Sequence, residues 1–225
     1  MNRMLVTLVV VSTVVCLEAQ SLPADLPVFP RELEMELALN AAPPHLRDGA
    51  SVLVFERSGY VKARDGRNGF TCIVSRRGGD VFPVCWDPEG ANTLVRIETE
   101  AATLRLAGHS IAEIQHQVEE GFKNGTYRAP TRGGVAYMLS PLRYRIDDAG
   151  RATSTNAAPH VMFYGPNVTD ADIGGQRGGP LFMNRVGPDG MIIVPVGSSE
   201  REAIARDSQS LTDRDEHLRG VGPRR

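Results

Sequence analysis

Cys72 and Cys85 stand at equal distances from a Gly78-Gly79 pair, and that symmetry constrains the fold more than any other feature of the chain. A Gly-Gly pair between two strand-like runs suits a two-residue turn, because such turns need positive φ and glycine adopts it without a steric penalty. With Gly78 and Gly79 as the loop, facing residues have numbers that sum to 157, so Cys72 faces Cys85. Hydrogen-bonded and non-hydrogen-bonded pairs alternate outward from Arg77/Asp80. Val74/Pro83 and Cys72/Cys85 both fall on the second kind. Opposed Cβ atoms there lie within about 4.5–5.5 Å, a little wide for a disulfide, so local twist is expected. The closed loop is short, and its entropic contribution is at or below about 3 kcal/mol. The alternative is a pair of buried free thiols in a reducing compartment. Pro83 has no N–H to give and asks for a sheet edge on its other side.

The compartment is read from the first residues. Arg3 precedes an apolar run from Met4 to Leu17, and Ala19 offers a small residue for cleavage, so residues 1–19 read as an export signal. Fourteen residues are short for a bilayer span. Cys16 offers a lipid-anchor alternative, against which the size of Val15 counts. A cleaved chain keeps two cysteines in an oxidising compartment, periplasmic or extracellular, which agrees with the disulfide.

Of the 225 residues, 41% are hydrophobic and 23% charged, an ordinary globular composition. The expected layout is an extended lead-in over 20–30, one α+β domain over 31–197 and a flexible charged tail over 198–225. A net charge of −2 gives no field that recruits nucleic acid or an anionic membrane. All but two of the 25 basic residues are Arg, but they are scattered, which fits a compositional bias better than a phosphate site.

The periodicity predicts a helix from Arg31 to Ala42, stopped by Pro43-Pro44. Strands follow at 51–57 and 60–64, and with the cysteine hairpin they make a meander. Asp87-Pro88-Glu89-Gly90 reads as a turn. Helices are predicted at 99–107 and, behind a Ser110…Glu113 capping box, at 111–123. Later strands lie near 135–139, 142–146, 159–164, 181–183 and 191–196. The fold class is therefore α+β: an antiparallel sheet with helices on one face or end.

Pro159-His160-Val161-Met162-Phe163-Tyr164, with Asn68-Gly69-Phe70-Thr71-Cys72, Ser58-Gly59-Tyr60 and Ala42-Pro43-Pro44, resembles a family of uncharacterised exported bacterial proteins. The resemblance runs through most of the mature chain. It implies export and a single domain, and brings no activity, cofactor or catalytic residue with it.

The chemistry-bearing residues cluster around 160–172. Alternation puts His160, Met162 and Tyr164 on one face of a strand. The loop behind it carries Asn167, Asp170 and Asp172. His160 beside Asp170 or Asp172 has the composition of a general base with its orienting carboxylate, with Tyr164 and Asn167 as ligand contacts. The same residues also read as a sheet-rim histidine, a turn and a helix start. Ser140 is followed by Pro141 and no Gly-x-Ser-x-Gly elbow exists. His109 with His116, and Asp87 with Glu89, lack the further ligands a metal needs. No cofactor is indicated. Two functions stay open: a non-enzymatic exported binding or structural domain, and a small hydrolase or metal-assisted enzyme using His160.

Overall fold

A computed structural model describes residues 26–78, 80–146, 152–154 and 158–214. The export signal, Cys16 and Gly79 lie outside these residues. Helix α1 (Arg31–Asn40) follows Pro30, and the short α2 (Pro44–Arg47) has Pro44 in its first turn, where no N–H is missed. Strands β1 (Ser51–Glu56) and β2 (Gly59–Arg64) form a hairpin. Strands β3 (Thr71–Ser75) and β4 (Asp80–Trp86) pair in the expected register, with Thr71 opposite Trp86, Cys72 opposite Cys85 and Val74 opposite Pro83. Cys72 and Cys85 are joined by a disulfide, with Cα atoms 3.9 Å apart.

These four strands are not a simple meander. The order is β2-β1-β3-β4, and β3 runs parallel to β1. The loop after β2 makes this possible by folding back on the start of β1. Arg67 and Asn68 both donate from their backbone N–H to Gly49 O, and Ser51 N–H donates to Phe70 O.

Helix α3 (Pro88–Leu106) starts eleven residues before the expected Thr99. Asp87 is its N-cap, accepting from Gly90 N–H at 2.9 Å, and Pro88 occupies the first turn. Gly90 weakens the helix pattern in the sequence, but it is required here. A Cβ on it would lie 2.3 Å from Tyr164 Oη and 2.8 Å from Trp86 Cε3. Helix α4 (Ile111–Lys123) begins at the predicted capping box, with both halves formed.

The sheet continues through β5 (Val135–Met138), and the hairpin β6 (Tyr144–Ile146) and β7 (Ala152–Ser154) branches from it. Next come β8 (His160–Tyr164), helical turn α5 (Asp170–Ile173), β9 (Phe182–Met183) and β10 (Met191–Pro195). β10 lies between β8 and β9. Pro83 explains the branch. β4 pairs with β5 through Cys85 and Trp86 and with β6 through Asp80 and Val81, leaving Phe82 to Val84 unpaired on that side. The missing N–H thus falls in a local sheet edge.

The helices cover both faces, where one face or end was expected. Alternation sends Val52, Val54, Cys72, Val74, Val81 and Cys85 to the α1 side. Ile73, Val84, Trp86, Ala136 and Met162 go to the other side, under α3 and α4. The segment from Ser198 also departs from the flexible tail. Helices α6 (Ser198–Asp207) and α7 (Gln209–Asp213) return to α1, where Leu211 joins the core and Asn40 Nδ2 donates to Ser208 Oγ at 3.0 Å. One buried leucine and one buried polar pair, with the Arg47–Asp207 and Arg214–Glu36 ion pairs, dock a segment rich in charge. Among the described residues, no helix is long and apolar enough to cross a membrane.

Candidate functional site

β8 presents its residues as alternation predicts. Met162 and Tyr164 enter the core beneath α3 and α4, while Phe163 on the opposite face is 45% exposed. His160 and Tyr164 are therefore on one face, but at opposite ends of the strand, about 13 Å apart. Tyr164 Oη donates to Asp87 Oδ1 at 2.5 Å. Asp87 also accepts from Val135 N–H through Oδ2 at 3.1 Å, so this pair ties β8 and β5 to the start of α3. Burial, with the Asp87 carboxylate, pushes the Tyr164 phenol well above its ordinary range.

The loop after β8 is held by its own polar groups. Asn167 adopts φ 60° and donates its N–H to Gly187 O at 2.8 Å. Asp170 Oδ1 accepts from Met183 N–H at 2.6 Å. Asp172 closes a capping box with Thr169, whose hydrogen bonds hold its carboxyl below the usual range. The expected base–carboxylate pair is not assembled. His160 opens the strand and α5 follows its far end, and neither Asp170 nor Asp172 is a partner of the imidazole.

His160 instead borders a cleft of about 810 Å³ between the sheet and the two helices. Its floor is Phe82, Trp86, Met138, Met162, Met191 and Ile193. Its wall is Ala101 of α3 with Ile114, Val118 and Phe122 of α4. Of the α4 residues along the cleft, Val118 and Ile114 are buried while Ile111 stands exposed. Methionines on the floor give it a surface that adjusts to the shape it meets.

Two polar groups of charges border the cleft. In the first, Arg77 reaches Glu98 Oε1 at 3.5 Å and Asp189 Oδ2 at 2.9 Å, and Arg185 holds Asp189 through both carboxylate oxygens. Burial works to raise the Asp189 carboxyl, but Arg185 and Arg77 keep it below its ordinary range. These ion pairs join the tip of the cysteine hairpin to the β9–β10 turn, with α3 between.

The second group is Arg143, Asp80 and His160. Arg143 Nη2 donates to Asp80 Oδ2 at 2.5 Å, and its guanidinium lies 5.4 Å from the centre of the Phe82 ring. Asp80 is shared with Arg145, whose Nε lies 3.3 Å from Oδ1. Arg143 Nε is buried without a hydrogen-bond partner among the described residues, as is Trp86 Nε1. His160 is 8% exposed, and its Nδ1 sits 2.9 Å from Ala158 O. A carbonyl only accepts, so Nδ1 carries the hydrogen and the neutral ring keeps its lone pair on Nε2. Burial lowers the His160 pKa, the Ala158 carbonyl works against that, and the nearby Arg143 charge lowers it further.

The sequence singled out His160 and its face-mate Met162, and did not mark Trp86, Arg143 and Asp80 as neighbours in one site. They come from strands and a connection far apart in the chain, with no local spacing to mark them. Among the described residues, no group of three His, Cys, Asp or Glu is arranged to hold a metal ion. Comparison with protein-family models, curated proteins and solved structures finds no match.

Proposed function

We propose that this is a non-enzymatic binding protein, exported from a bacterial cell, that takes a small apolar molecule into the cleft between the sheet and α3–α4. The observation that carries the reading is the cleft itself. Its volume falls in the range of small-molecule sites, and apolar side chains of the sheet, α3 and α4 form its floor and wall, with charged and polar groups in the rest of the lining. Catalysis is not favoured, because the histidine of the cleft has a backbone carbonyl as its orienting partner and no Ser, Thr or Cys lines the cleft among the described residues. Export is supported by the apolar run near the start of the sequence together with the Cys72–Cys85 bond, which persists in oxidising compartments.

The test is a titration with the neutral dye N-phenyl-1-naphthylamine, whose emission rises in apolar surroundings. Saturable enhancement is expected, reduced at least fivefold in affinity by Val118→Phe, which narrows the cleft from α4. Enhancement that never saturates, or is indifferent to Val118→Phe, would overturn the reading.

A further inference from the structure

We infer that the ligand is an amphiphile with a carboxyl head, seated between Arg143 and His160 with its apolar part along the methionine floor. This rests on the cleft being a ligand site and adds the chemistry of the ligand. The charged groups of the β9–β10 side are engaged with one another: Arg77 and Arg185 on one hand, Glu98 and Asp189 on the other. The Arg143 side is different. Arg143 gives a single Nη2 bond to Asp80, which also serves Arg145, and its Nε–H is buried with no acceptor among the described residues. A buried cationic donor without an acceptor is costly, and an added oxygen removes that cost.

His160 supplies the complementary group. Its Nδ1–H is committed to Ala158 O, leaving Nε2 as the free acceptor of a residue that lines the same cleft. A carboxyl group has one oxygen to offer each of the two. One oxygen accepts from Arg143 Nε–H, and the other shares a proton with His160 Nε2. The ligand's carboxylate and the neutral imidazole hold no proton between them, so the complex takes one up from solvent; with that proton on Nε2, the carboxylate faces both His160 and Arg143.

The floor sets the size. From His160 past Met162 to Met191, which pairs with Tyr164, the sheet offers about 13 Å of apolar surface. A straight chain of about ten carbons covers that length.

Trp86, the single tryptophan of the chain, lines the cleft and serves as the reporter. Its fluorescence is followed while decanoate, decanol and decyltrimethylammonium are titrated against the full mature protein. Decanoate is expected to bind at least tenfold more tightly than either of the others. Arg143→Gln and His160→Gln are each expected to weaken decanoate at least fivefold and to bring its affinity to within twofold of decanol's. Decanol matching decanoate within twofold would overturn the head-group assignment, as would an unchanged decanoate affinity in Arg143→Gln. If a variant fails to fold, the comparison of the three head groups on the wild-type protein decides alone. Dye binding with no head-group preference removes this inference and leaves the cleft reading standing; absence of dye binding removes both.

Discussion

Arg76 grips Glu34 through both carboxylate oxygens, Nη1 to Oε1 and Nη2 to Oε2 at 2.7 Å each, with both side chains at 0% exposure. Further hydrogen bonds hold both groups. Arg76 Nε donates to Pro27 O, Nη1 also donates to Val74 O, and Phe55 N–H donates to Glu34 Oε1. Phe29 and Phe55 flank the guanidinium, at 5.3 and 4.5 Å from their ring centres. The pair thus fastens α1 and the segment before it to the cysteine hairpin. Removing one partner leaves a buried charge uncompensated. Glu34→Ala is expected to cost about 3–5 kcal/mol in urea unfolding, with an unchanged m-value. The double variant Glu34→Met with Arg76→Leu is expected to lose clearly less, because no charge is left stranded.

The disulfide adds to the same hairpin. It closes a loop with a sequence separation of 13, for which chain entropy gives about 3 kcal/mol at most. Intact mass is expected to rise by two hydrogens on reduction. The reduced protein is expected to unfold at lower urea while staying folded in its absence.

His160 predicts a pH effect on stability. Its folded pKa is lowered from the ordinary 6.5, chiefly by burial. Below about 6.5 the unfolded chain binds a proton that the folded protein refuses, so stability falls as pH drops through that window. His160→Gln is expected to flatten the fall between about pH 6.5 and 5. Asp189, held below its ordinary range by Arg185 and Arg77 against burial, contributes stability that is lost only further down, as pH drops below about 4. A wild-type curve that is flat from pH 7 to 5 would contradict the His160 assignment.

Leu211 tests the docking of the last helices. It is buried in the α1-side core, beside the Asn40–Ser208 hydrogen bond. Leu211→Ala is expected to cost about 2–4 kcal/mol by thermal or urea unfolding, within the range for buried leucines. A loss under about 0.5 kcal/mol would mean that the segment from Ser198 contributes nothing to the folded domain.

Tyr164 tests the anchor of β8. Tyr164→Phe removes the bond to Asp87 and leaves the carboxylate with Gly90 and Val135 N–H. A loss of about 1–2 kcal/mol is expected, without loss of dye binding, because the phenol lies beyond the cleft.

What the sequence determined by itself is local. A two-residue turn and period-2 alternation fix which residues face each other, so Cys72 opposite Cys85 and Val74 opposite Pro83 followed from counting outward from Gly78. The Ser110–Glu113 capping box and the shared face of His160, Met162 and Tyr164 followed in the same way, because neighbours in the chain decide them. Pro83 even announced a sheet edge, though not that β5 and β6 would divide the strand around it.

Tertiary structure decided the rest, because long-range burial overrides local preference. Asp87 to Gly90 looks like a turn because Gly90 weakens the helix pattern; glycine stands there, in the first turn of a helix capped by Asp87, because Tyr164 and Trp86 occupy the space a side chain would need. A charged segment docks because Leu211 meets an apolar surface some 170 residues away in sequence. Arg76, one arginine among many in the sequence, is buried because Glu34 arrives on another element. The cleft is the plainest case: its floor and its Arg143–His160 corner are drawn from four strands and a connection, and only their packing brings them to one place.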